Sequence, residues 1–285
     1  MTNLAVLGPG LLGASIAMAA HRHGGFRVSI WGRREAAIEE LRRRGIGDFA
    51  STDLAAVARG AQLVVLCVPI GAMPQLAREL TAILDPGAVV TDVGSVKAPT
   101  VAELSAIFAG RARFVGSHPM AGSEQQGLHA ARADLFDDHV CIVTPESTSE
   151  AADVKHVTEF WERLGCRVRQ LTPGEHDEFA AAISHFPHLM AAVLVNSVAA
   201  TNPNAFDFAG PGFRDTTRVA SGPPEMWSEI LGVNRKAVKK SAEAMIEKLR
   251  EFMTLLDRPF PGGEDLMNEF LTSAKAQRDR LRPRA

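Results

Sequence analysis

A glycine-rich turn between a short apolar run and an alanine-rich stretch constrains the fold of this chain more than any other sequence feature. Apolar residues occupy positions 4–7, the turn reads GPGLLG at 8–13, and a helical pattern follows from 14 to 21. Glycines in such a turn let the backbone approach a pyrophosphate, whose charge the N-terminus of the next helix stabilises. The order strand, turn and helix therefore favours dinucleotide binding over a plain tight turn. The cofactor contacts predicted from this turn are Gly8, Gly10, Leu11, Leu12 and Gly13.

Apolar runs and helical patterns alternate through the first 172 residues. Further strands are predicted at 27–31, 63–68, 88–92, 140–144 and 166–171, and helices at 36–44, 74–84, 100–108 and 149–164. Strands that are apolar throughout are typical of a parallel sheet covered on both faces. The fold class predicted for residues 1–172 is therefore α/β, a Rossmann-like doubly wound parallel sheet that binds the dinucleotide.

Residues 173–285 carry helical patterns almost throughout. The sequence Thr-Pro-Gly at 172–174 marks the predicted domain boundary. The two long helices predicted at 234–256 and 264–281 carry apolar stripes opposite charged faces. An amphipathic surface of this size suits association between two copies. We therefore predict an all-helical C-terminal domain that mediates a homodimer.

The charge balance and the cysteine pattern narrow the classes of partner. With 31 Lys and Arg against 33 Asp and Glu, the formal net charge is -2. That balance gives no general attraction to nucleic acid or to anionic membranes, so small molecules or a second copy are the expected partners. There is no basic leader pattern and no apolar run near the ~18 residues of a membrane span, which predicts a cytoplasmic protein. Cys67, Cys141 and Cys166 lack CxxC spacing and are expected to be buried thiols, not disulfides or zinc ligands.

The residues after the second predicted strand indicate which dinucleotide binds. Enzymes that use NAD usually place a carboxylate there to hydrogen-bond the ribose 2′-hydroxyl, but this chain reads Gly32-Arg33-Arg34. Two guanidinium groups can pair with a 2′-phosphate, so NADP is favoured over NAD. In the alternative interpretation, both arginines are solvated residues that open the next helix and pair with Glu35 and Glu39.

Three segments that follow predicted strands should meet at one edge of the sheet, where ligands of such folds bind. They contribute Val68 and Pro69 as cofactor contacts, Ser95, and His118 within the segment 116–124. That segment is predicted to be a loop built for chemistry, because a histidine can exchange protons near neutral pH. His118 is therefore the predicted acid/base group; the alternative is an exposed histidine in a capped turn.

Ser95 and Glu124 each allow two interpretations. The Ser95 hydroxyl is expected either to cap the next helix or to reach the nicotinamide and His118. Glu124 is interpreted as a carboxylate of the site in preference to an exposed loop acid.

Two histidines three residues apart, His185 and His188, are predicted on one face of a helix. Pro187 between them cannot donate a hydrogen bond to the carbonyl of Ile183, so the helix should be kinked there. No carboxylate or cysteine nearby completes a metal-binding set, and we predict no metal site. Polar contacts to a substrate are favoured over a buried structural role for both histidines.

Arg214, Asp215 and Arg218 form a charged cluster further along the chain. If Asp215 pairs with one arginine, the other guanidinium can bind an anionic ligand, for which its planar fork is well suited. An ordinary surface ion-pair cluster is the alternative. By residue type alone, Trp227 is more typical of a core than of a site.

Five motifs, in the same order, resemble the prephenate and arogenate dehydrogenases of tyrosine biosynthesis over nearly the whole chain. They are GPGLLGAS at 8–15, TDVGSVK at 91–97, and residues 116–122, 184–188 and 212–218. The resemblance implies oxidative decarboxylation of prephenate to 4-hydroxyphenylpyruvate, or of arogenate to tyrosine. In that reaction a hydride passes from the carbinol carbon of the cyclohexadienyl ring to NAD(P)+ while the ring carboxyl leaves as CO2.

The resemblance also implies roles for single residues. His118 matches the histidine that hydrogen-bonds the substrate 4-hydroxyl and takes its proton, and Ser95 matches the serine that orients it. Arg218 matches the arginine that holds the substrate carboxylate, and His185 falls in the substrate-contacting histidine motif. The other positions predicted to bind substrate are His188, Arg214, Asp215, Glu124 and Trp227. The helical domain of the family forms an intertwined dimer, in agreement with the amphipathic helices.

Two other functions remain open at the level of sequence. A β-hydroxy-acid or imine dehydrogenase also joins a Rossmann domain to helices, but those enzymes generally rely on a lysine where this chain offers His185 and His188. The second alternative is a non-catalytic module that senses dinucleotides.

Overall fold

Nine strands and twelve α-helices make up the part of the chain that the computed structural model describes, residues 1–122, 127–259 and 264–281. The strands are β1 (Thr2–Leu7), β2 (Phe26–Trp31), β3 (Phe49–Ser51), β4 (Leu63–Leu66), β5 (Val89–Asp92), β6 (Arg113–Phe114), β7 (Gly116–Pro119), β8 (Val140–Thr144) and β9 (Arg167–Gln170). The helices are α1 (Leu11–His23), α2 (Glu35–Arg44), α3 (Leu54–Ala58), α4 (Met73–Thr81), α5 (Ala98–Phe108), α6 (Ala151–Arg163), α7 (Pro173–Ala180), α8 (Phe186–Thr201), α9 (Pro211–Thr217), α10 (Pro224–Val233), α11 (Arg235–Leu256) and α12 (Glu264–Asp279).

Six parallel strands form the larger sheet, in the order β3-β2-β1-β4-β5-β6. The strand order reverses between β1 and β4, and ligands of doubly wound folds bind at such a reversal. Leu7 at the end of β1 pairs with Leu66 at the end of β4, so the glycine turn and the loop that carries Val68 and Pro69 leave the sheet side by side. The predicted fold class is confirmed.

Side chains of the central strands alternate between two apolar cores, one on each face of this sheet. In β1, Leu4 and Val6 belong to one core, and Ala5 and Leu7 belong to the other. Residues of α1 and α6 contribute to the first core, and residues of α4 and α5 contribute to the second. Burial on both faces explains why these strands are apolar throughout instead of alternating.

A smaller sheet of three strands, in the order β7-β8-β9, differs from the prediction. The sequence predicts that the strands near 140 and 166 extend the doubly wound sheet and that the segment from Gly116 is a loop. Instead, Gly116–Pro119 is a strand that runs antiparallel to β8, with His118 opposite Ile142. The chain leaves the larger sheet here because the amide of Ser117 donates to the Asp92 side chain at 3.1 Å, not to a carbonyl of β5. His118 therefore lies on a strand and is only 8% exposed, so the alternative of an exposed turn histidine is wrong.

The turn between β1 and α1 depends on two of its glycines. Gly8 has a φ of 120°, and a Cβ at this position would lie 2.3 Å from the carbonyl oxygen of Cys67. A Cβ at Gly13 would lie 2.0 Å from the carbonyl oxygen of Gly8. Gly10 has open space instead, with no other atom within 4 Å of a Cβ built there. Gly8 and Gly13 let the strand, the turn and the neighbouring loop pack closely, and Gly10 leaves room beside the start of α1.

The segment Pro173–Thr201 is helical throughout, with a π-helical turn at Ala181–His185 between α7 and α8. The wider turn ends at His185, two residues before Pro187, which cannot donate to the carbonyl of Ile183. The kink predicted beside Pro187 stays a prediction. The sequence-based expectation that no segment is apolar enough to span a membrane is wrong for Pro173–Thr201, which is long and apolar enough by length and composition alone. The same composition is typical of core helices in soluble proteins, and His176, Asp177, His185 and His188 of this segment are all buried.

The chain divides into two compact units, Met1–Asn234 and Arg235–Ala285. In the second unit, α11 and α12 contact each other through the rings of Phe252 and Phe270, whose centroids are 5.0 Å apart. Large apolar side chains remain exposed on α11, namely Met245, Ile246, Leu249, Met253 and Leu256. The predicted division into domains 1–172 and 173–285 stays a prediction.

Replacing Gly13 by Ala should lower the stability of the protein, although alanine ordinarily favours a helix over glycine by about 1 kcal/mol. The new Cβ would collide with a main-chain carbonyl that cannot move without displacing the turn, and overpacking of this kind costs about 1–3 kcal/mol. Gly10→Ala is the matched control, since its Cβ meets open space. Thermal unfolding of both variants at equal protein concentration measures the difference; equal midpoints would show that the close approach at Gly13 is unimportant.

Candidate active site

A fully buried ion pair lies at the carboxyl end of β5. Lys97 and Asp92 form it, with both side chains 0% exposed. The Lys97 ammonium also donates to the carbonyl of Ser117 at 3.0 Å, and the Asp92 carboxylate accepts from the amides of Gly94, at 2.8 Å, and Ser117. Buried charges are tolerated when they are paired and hydrogen-bonded, and these bonds give partners to both groups. The pair thus joins the turn after β5 to the first residues of β7.

Ser117 holds β7 in place from inside the protein. Its hydroxyl donates to the carbonyl of Asp92 at 2.6 Å and accepts from the indole Nε1 of Trp161 at 2.9 Å. The hydroxyl of Thr91 lies 2.7 Å away. Because successive side chains of a strand point to opposite faces, this anchoring of Ser117 directs His118 to the other side of β7.

A chain of three side chains runs inward from His118. Its Nδ1 lies 2.9 Å from Nε2 of His176, and Nδ1 of His176 lies 2.8 Å from the carboxylate of Asp177. Asp177 also accepts from the amides of Lys97, at 2.6 Å, and Ala98, at 2.8 Å, at the start of α5. A carboxylate at a helix N-terminus satisfies free amides and interacts favourably with the helix dipole. The start of α5 therefore fixes Asp177, and Asp177 fixes the two histidines.

Burial, together with neighbouring histidines and Lys97, makes His118 a neutral base. Burial is the main reason that the pKa of His118 lies well below its ordinary value of 6.5, and His176, Lys97 and His185 lower it further. Burial also lowers the pKa of His176, although Asp177 opposes that shift. An unprotonated imidazole at neutral pH is what a proton acceptor requires. Since Nδ1 of His118 is engaged by His176, Nε2 is the nitrogen available to a substrate.

His185 belongs to the same buried group. Its Nδ1 lies 3.0 Å from the side-chain amide nitrogen of Asn234, which also donates to the main-chain carbonyl of Asp177 at 2.9 Å. Burial is the main cause that lowers the pKa of His185 to about 4; the main chain of Ser95 opposes this shift, but no hydrogen bond reaches Nε2. His185 therefore carries a buried, unsatisfied ring nitrogen next to the predicted site.

Trp227 brings the two predicted histidines of the helical segment together. Its indole stacks on the ring of His188, with centroids 3.6 Å apart and planes 11° apart, and lies 6.4 Å from the ring of His185. Burial lowers the pKa of His188, and its Nδ1 has no hydrogen-bond partner among the described residues. Two unsatisfied imidazole nitrogens beside an aromatic face suit a ring-shaped substrate with polar substituents.

Ser95 lies near this group without the contact that was predicted for it. It is half-buried and forms no hydrogen bond with His118 in the described part of the chain. It does not cap α5 either, because Lys97 occupies the N-cap position and Asp177 binds the free amides. A direct role of Ser95 toward substrate or cofactor stays a prediction.

The charged cluster of the second half lies on the surface. Arg214, Asp215 and Arg218 are exposed, at the end of α9 and the start of the following turn. Arg214 donates to the carbonyl of Ala209 at 3.2 Å, and the described residues contain no ion pair between Asp215 and Arg214. Glu124 lies outside the described residues.

The arginines predicted to select the dinucleotide are exposed at the end of β2. Gly32 before them is buried. As the alternative interpretation expects, both arginines are exposed and Arg34 is the N-cap residue of α2. The ion pairs it expects with Glu35 and Glu39 are not found among the described residues, where Glu35 accepts from Arg42 at 3.2 Å and from Thr52 at 3.3 Å. The preference for NADP stays a prediction.

Sequence reasoning missed five residues that organise this site: Asp92, Lys97, His176, Asp177 and Asn234. Two of them, Asp92 and Lys97, lie within the TDVGSVK motif, of which only Ser95 was predicted to be a site residue. His176 and Asp177 follow a capping box, in which Thr172 and Glu175 bond each other's main chain, and that box marks only a helix start. Contacts across 58 and 80 residues leave no local pattern.

Two family models match the chain. The model described as "Prephenate dehydrogenase, nucleotide-binding domain" matches residues 16–170, and the model described as "Prephenate dehydrogenase, dimerization domain" matches residues 172–271.

Individual relatives match over nearly the full length. A cyclohexadienyl dehydrogenase of Zymomonas mobilis is 31% identical over 280 residues, which cover 96% of this chain and 94% of the relative. The crystal structure of a prephenate dehydrogenase from Aquifex aeolicus, in complex with hydroxyphenyl propionate and NAD+, is similar with a TM-score of 0.92 and 30% identity over 99% of both chains. A Synechocystis arogenate dehydrogenase gives a TM-score of 0.82 and 30% identity over 97% of this chain and 100% of its own.

Removing the cation of the buried pair, by Lys97→Met, should destabilise the protein by about 3–5 kcal/mol, because Asp92 would remain buried without its counter-charge. Adding Asp92→Asn should recover part of that loss. Lys155→Met is the control, since its ion pair with Glu159 is exposed and should contribute less than about 1 kcal/mol. Urea unfolding at equal protein concentration measures all three; equal effects of Lys97→Met and Lys155→Met would contradict this role for the pair.

Proposed function

The chain belongs to the prephenate dehydrogenase family, and we propose that His118 takes the hydroxyl proton in its reaction. As a member of that family, the chain is an NAD(P)-dependent dehydrogenase that catalyses oxidative decarboxylation of prephenate or arogenate. The observation that carries the role of His118 is its buried, neutral imidazole, held by His176 beside the nucleotide-binding sheet.

The turn at 8–13 suits the pyrophosphate of the dinucleotide. Gly8 and Gly13 allow the close packing that aligns the first amides of α1, and Gly10 faces open space in which a phosphate has room. When bound, the nicotinamide supplies the hydride acceptor. Val68 and Pro69, in the neighbouring loop, are proposed to contact it.

His118 acts at the substrate hydroxyl. As the carbinol carbon gives up its hydride, Nε2 of His118 accepts the hydroxyl proton and a carbonyl forms transiently at that carbon. The electron pair of the bond to the ring carboxyl then moves into the ring as CO2 leaves, which gives an aromatic phenolate. The phenolate oxygen takes the proton back from His118, and the neutral base is regenerated. The positive charge that arrives on His118 is stabilised through His176 by the carboxylate of Asp177.

The remaining predicted residues are proposed to hold the substrate. Arg218 would bind a carboxylate, since its planar fork matches that group. The unsatisfied nitrogens of His185 and His188, beside the face of Trp227, support substrate contacts for all three. Arg214, Asp215, Glu124 and Ser95 complete the proposed set.

NADP is the proposed cofactor, with NAD as the alternative. Two exposed guanidinium groups at the end of β2, and the engagement of Glu35 by Arg42 and Thr52, support a site for a 2′-phosphate. The Aquifex aeolicus relative was crystallised with NAD+, so this choice distinguishes the chain from a similar enzyme.

We further propose a cytoplasmic homodimer formed through the C-terminal helices. The match of residues 172–271 to a dimerization domain supports it, as do the exposed apolar side chains of α11.

The test of substrate and cofactor is an assay of prephenate and arogenate, each with NAD+ and NADP+, that follows the reduced nicotinamide. We expect the highest kcat/KM with NADP+, and at least a tenfold loss with that cofactor in Arg33→Ser/Arg34→Ser, about the worth of one charge-assisted hydrogen bond. The double variant should keep its activity with NAD+, which serves as the internal control. A higher kcat/KM with NAD+ in the unaltered protein would overturn the proposed preference.

His118→Asn should lower kcat about 100-fold or more, the usual contribution of a positioned general base. The substitution keeps a polar side chain of similar size, so the dinucleotide should bind with unchanged affinity. Steady-state kinetics and cofactor fluorescence titration measure the two quantities. A kcat within a few fold of the unaltered enzyme would remove His118 from the reaction.

The pH profile should show an acidic limb below the ordinary histidine range. His118 must be neutral to accept a proton, and burial together with His176, Lys97 and His185 lowers its pKa below 6.5. Consequently kcat/KM should stay constant from pH 8 down through 6.5 and fall only at lower pH. Initial rates across this range, with a single-pH stability check for each buffer, measure the limb; a midpoint at or above 6.5 would contradict the assignment.

A further inference from the structure

The carboxylate of Asp177 determines which nitrogen of each neighbouring histidine carries the proton. An ionised carboxylate can only accept hydrogen bonds, so Nδ1 of His176, 2.8 Å away, must carry a hydrogen. A neutral imidazole has one N–H, and Nε2 of His176 is therefore an acceptor. It follows that Nδ1 of His118, 2.9 Å from that atom, carries a hydrogen and that Nε2 of His118 has a free electron pair.

The main-chain carbonyl of Asp177 determines the state of His185 in the same way. That carbonyl can only accept, so the Asn234 atom 2.9 Å from it must be the amide nitrogen. The same nitrogen lies 3.0 Å from Nδ1 of His185 and offers it the second amide hydrogen. Nδ1 of His185 is therefore an acceptor, and the proton of the neutral ring lies on Nε2.

The exposed ends of the two histidines thus differ. Nε2 of His118 carries a lone pair, and Nε2 of His185 carries a hydrogen that is buried and has no acceptor within hydrogen-bond distance among the described residues, although the main chain of Ser95 lies near the ring. A buried N–H without a partner is costly until a ligand oxygen reaches it. Such a donor would select against a ligand that presents another donor at that point.

We propose that Asp177, acting through His176 and Asn234, is a positioning residue that holds His118 and His185 in opposite tautomers. In that state His118 accepts a proton from the substrate hydroxyl while His185 donates a hydrogen bond to a second, carboxylate or carbonyl, oxygen of the same substrate. The inference rests on the proposed function only for the identity of the ligand; the tautomers follow from the protein's own contacts. The low pKa values of both rings keep them neutral near pH 7, as this arrangement requires.

The tautomers can be measured directly in the unliganded protein. Long-range ¹H–¹⁵N correlation spectra of protein labelled at its nine histidines distinguish the two neutral forms of each ring. Spectra of His118→Gln and His185→Gln identify the two sets of signals. We expect the hydrogen on Nδ1 in His118 and on Nε2 in His185 near pH 7.5. The same tautomer in both rings, or the reverse assignment, would overturn the proposal even if the enzyme turned over normally.

Asp177→Ala tests the cause of the arrangement. It removes the carboxylate that accepts from Nδ1 of His176, so neither His176 nor His118 would be held in one tautomer. We expect kcat to fall about 100-fold or more, as for loss of a general base, with a much smaller change in KM. The His118 signals should change from the form with the hydrogen on Nδ1 to a mixture of both tautomers in the same sample. Loss of activity with unchanged His118 signals would mean that Asp177 has only a structural role.

Two further variants separate the branches and control for stability. Asn234→Ala removes the donor to Nδ1 of His185, so that ring alone should no longer be held in one tautomer. KM should rise about tenfold, the worth of one lost hydrogen bond, with a smaller effect on kcat. Thr172→Ala removes the capping box of α7, the helix that carries His176 and Asp177, and should leave both tautomers and kcat unchanged. Absence of turnover in the unaltered protein would count against the proposed function, whereas the spectra decide the tautomers independently.

Discussion

The buried pair of Lys97 and Asp92 is the interaction on which the rest of the site depends. Two opposite charges are held out of water at the end of β5, and the hydrogen bonds that make this tolerable are the same ones that shape the turn and the start of β7. If Asp92 were moved, the amide of Ser117 would lose its acceptor, and if Lys97 were moved, the carbonyl of Ser117 would lose a donor. Either change would remove a bond that holds the start of β7 away from the larger sheet. The location of His118 follows from that departure.

The pair also influences the chemistry beyond its immediate contacts. The cation of Lys97 is one of the groups that lower the pKa of His118, whereas Asp92 raises the pKa of His176. Burial is the larger cause for both rings, and a buried imidazole that is kept neutral can accept a proton without first losing one to water. Lys97 is buried and paired with Asp92 at the start of α5, outside the helical domain in which β-hydroxy-acid dehydrogenases generally carry their lysine, and the family match favours the prephenate dehydrogenases. The family match in turn sets aside a non-catalytic dinucleotide sensor.

The sequence predicts the nucleotide-binding half well because its signals are local. The glycine turn, the apolar strands and the connecting helices are each recognised within a short stretch of sequence, which is enough to predict a doubly wound parallel sheet. The strand order was not predicted, and the short strands β3 and β6 are not among the predicted strands. The family was identified correctly from five such motifs. The smaller sheet was missed, since the change of sheet at Gly116 depends on one side-chain contact with Asp92 and leaves no periodic signal. For the same reason the sequence does not distinguish His176 and Asp177 from ordinary residues of a capped helix, and it does not predict the contact between His185 and Asn234.

The helices proposed to hold the substrate and the nucleotide-binding sheet are joined by polar groups of the candidate site. Asp177 binds the first amides of α5 with the carboxylate that also orders His176, and Asn234 links its carbonyl to His185. On the cofactor side, Glu229 of α10 accepts from the amide of Gly71 at 2.5 Å, directly after the loop of Val68 and Pro69. A displacement of these helices relative to the sheet would therefore break the hydrogen bonds of Asp177 to the amides of Lys97 and Ala98. His176, and through it His118, would then lose the group that orients them. The reaction requires the hydride donor, the hydride acceptor and the proton acceptor to be held at fixed distances from one another, and these junctions set those distances. The polar residues at the junctions must therefore be positioned as accurately as the histidines proposed to contact the substrate.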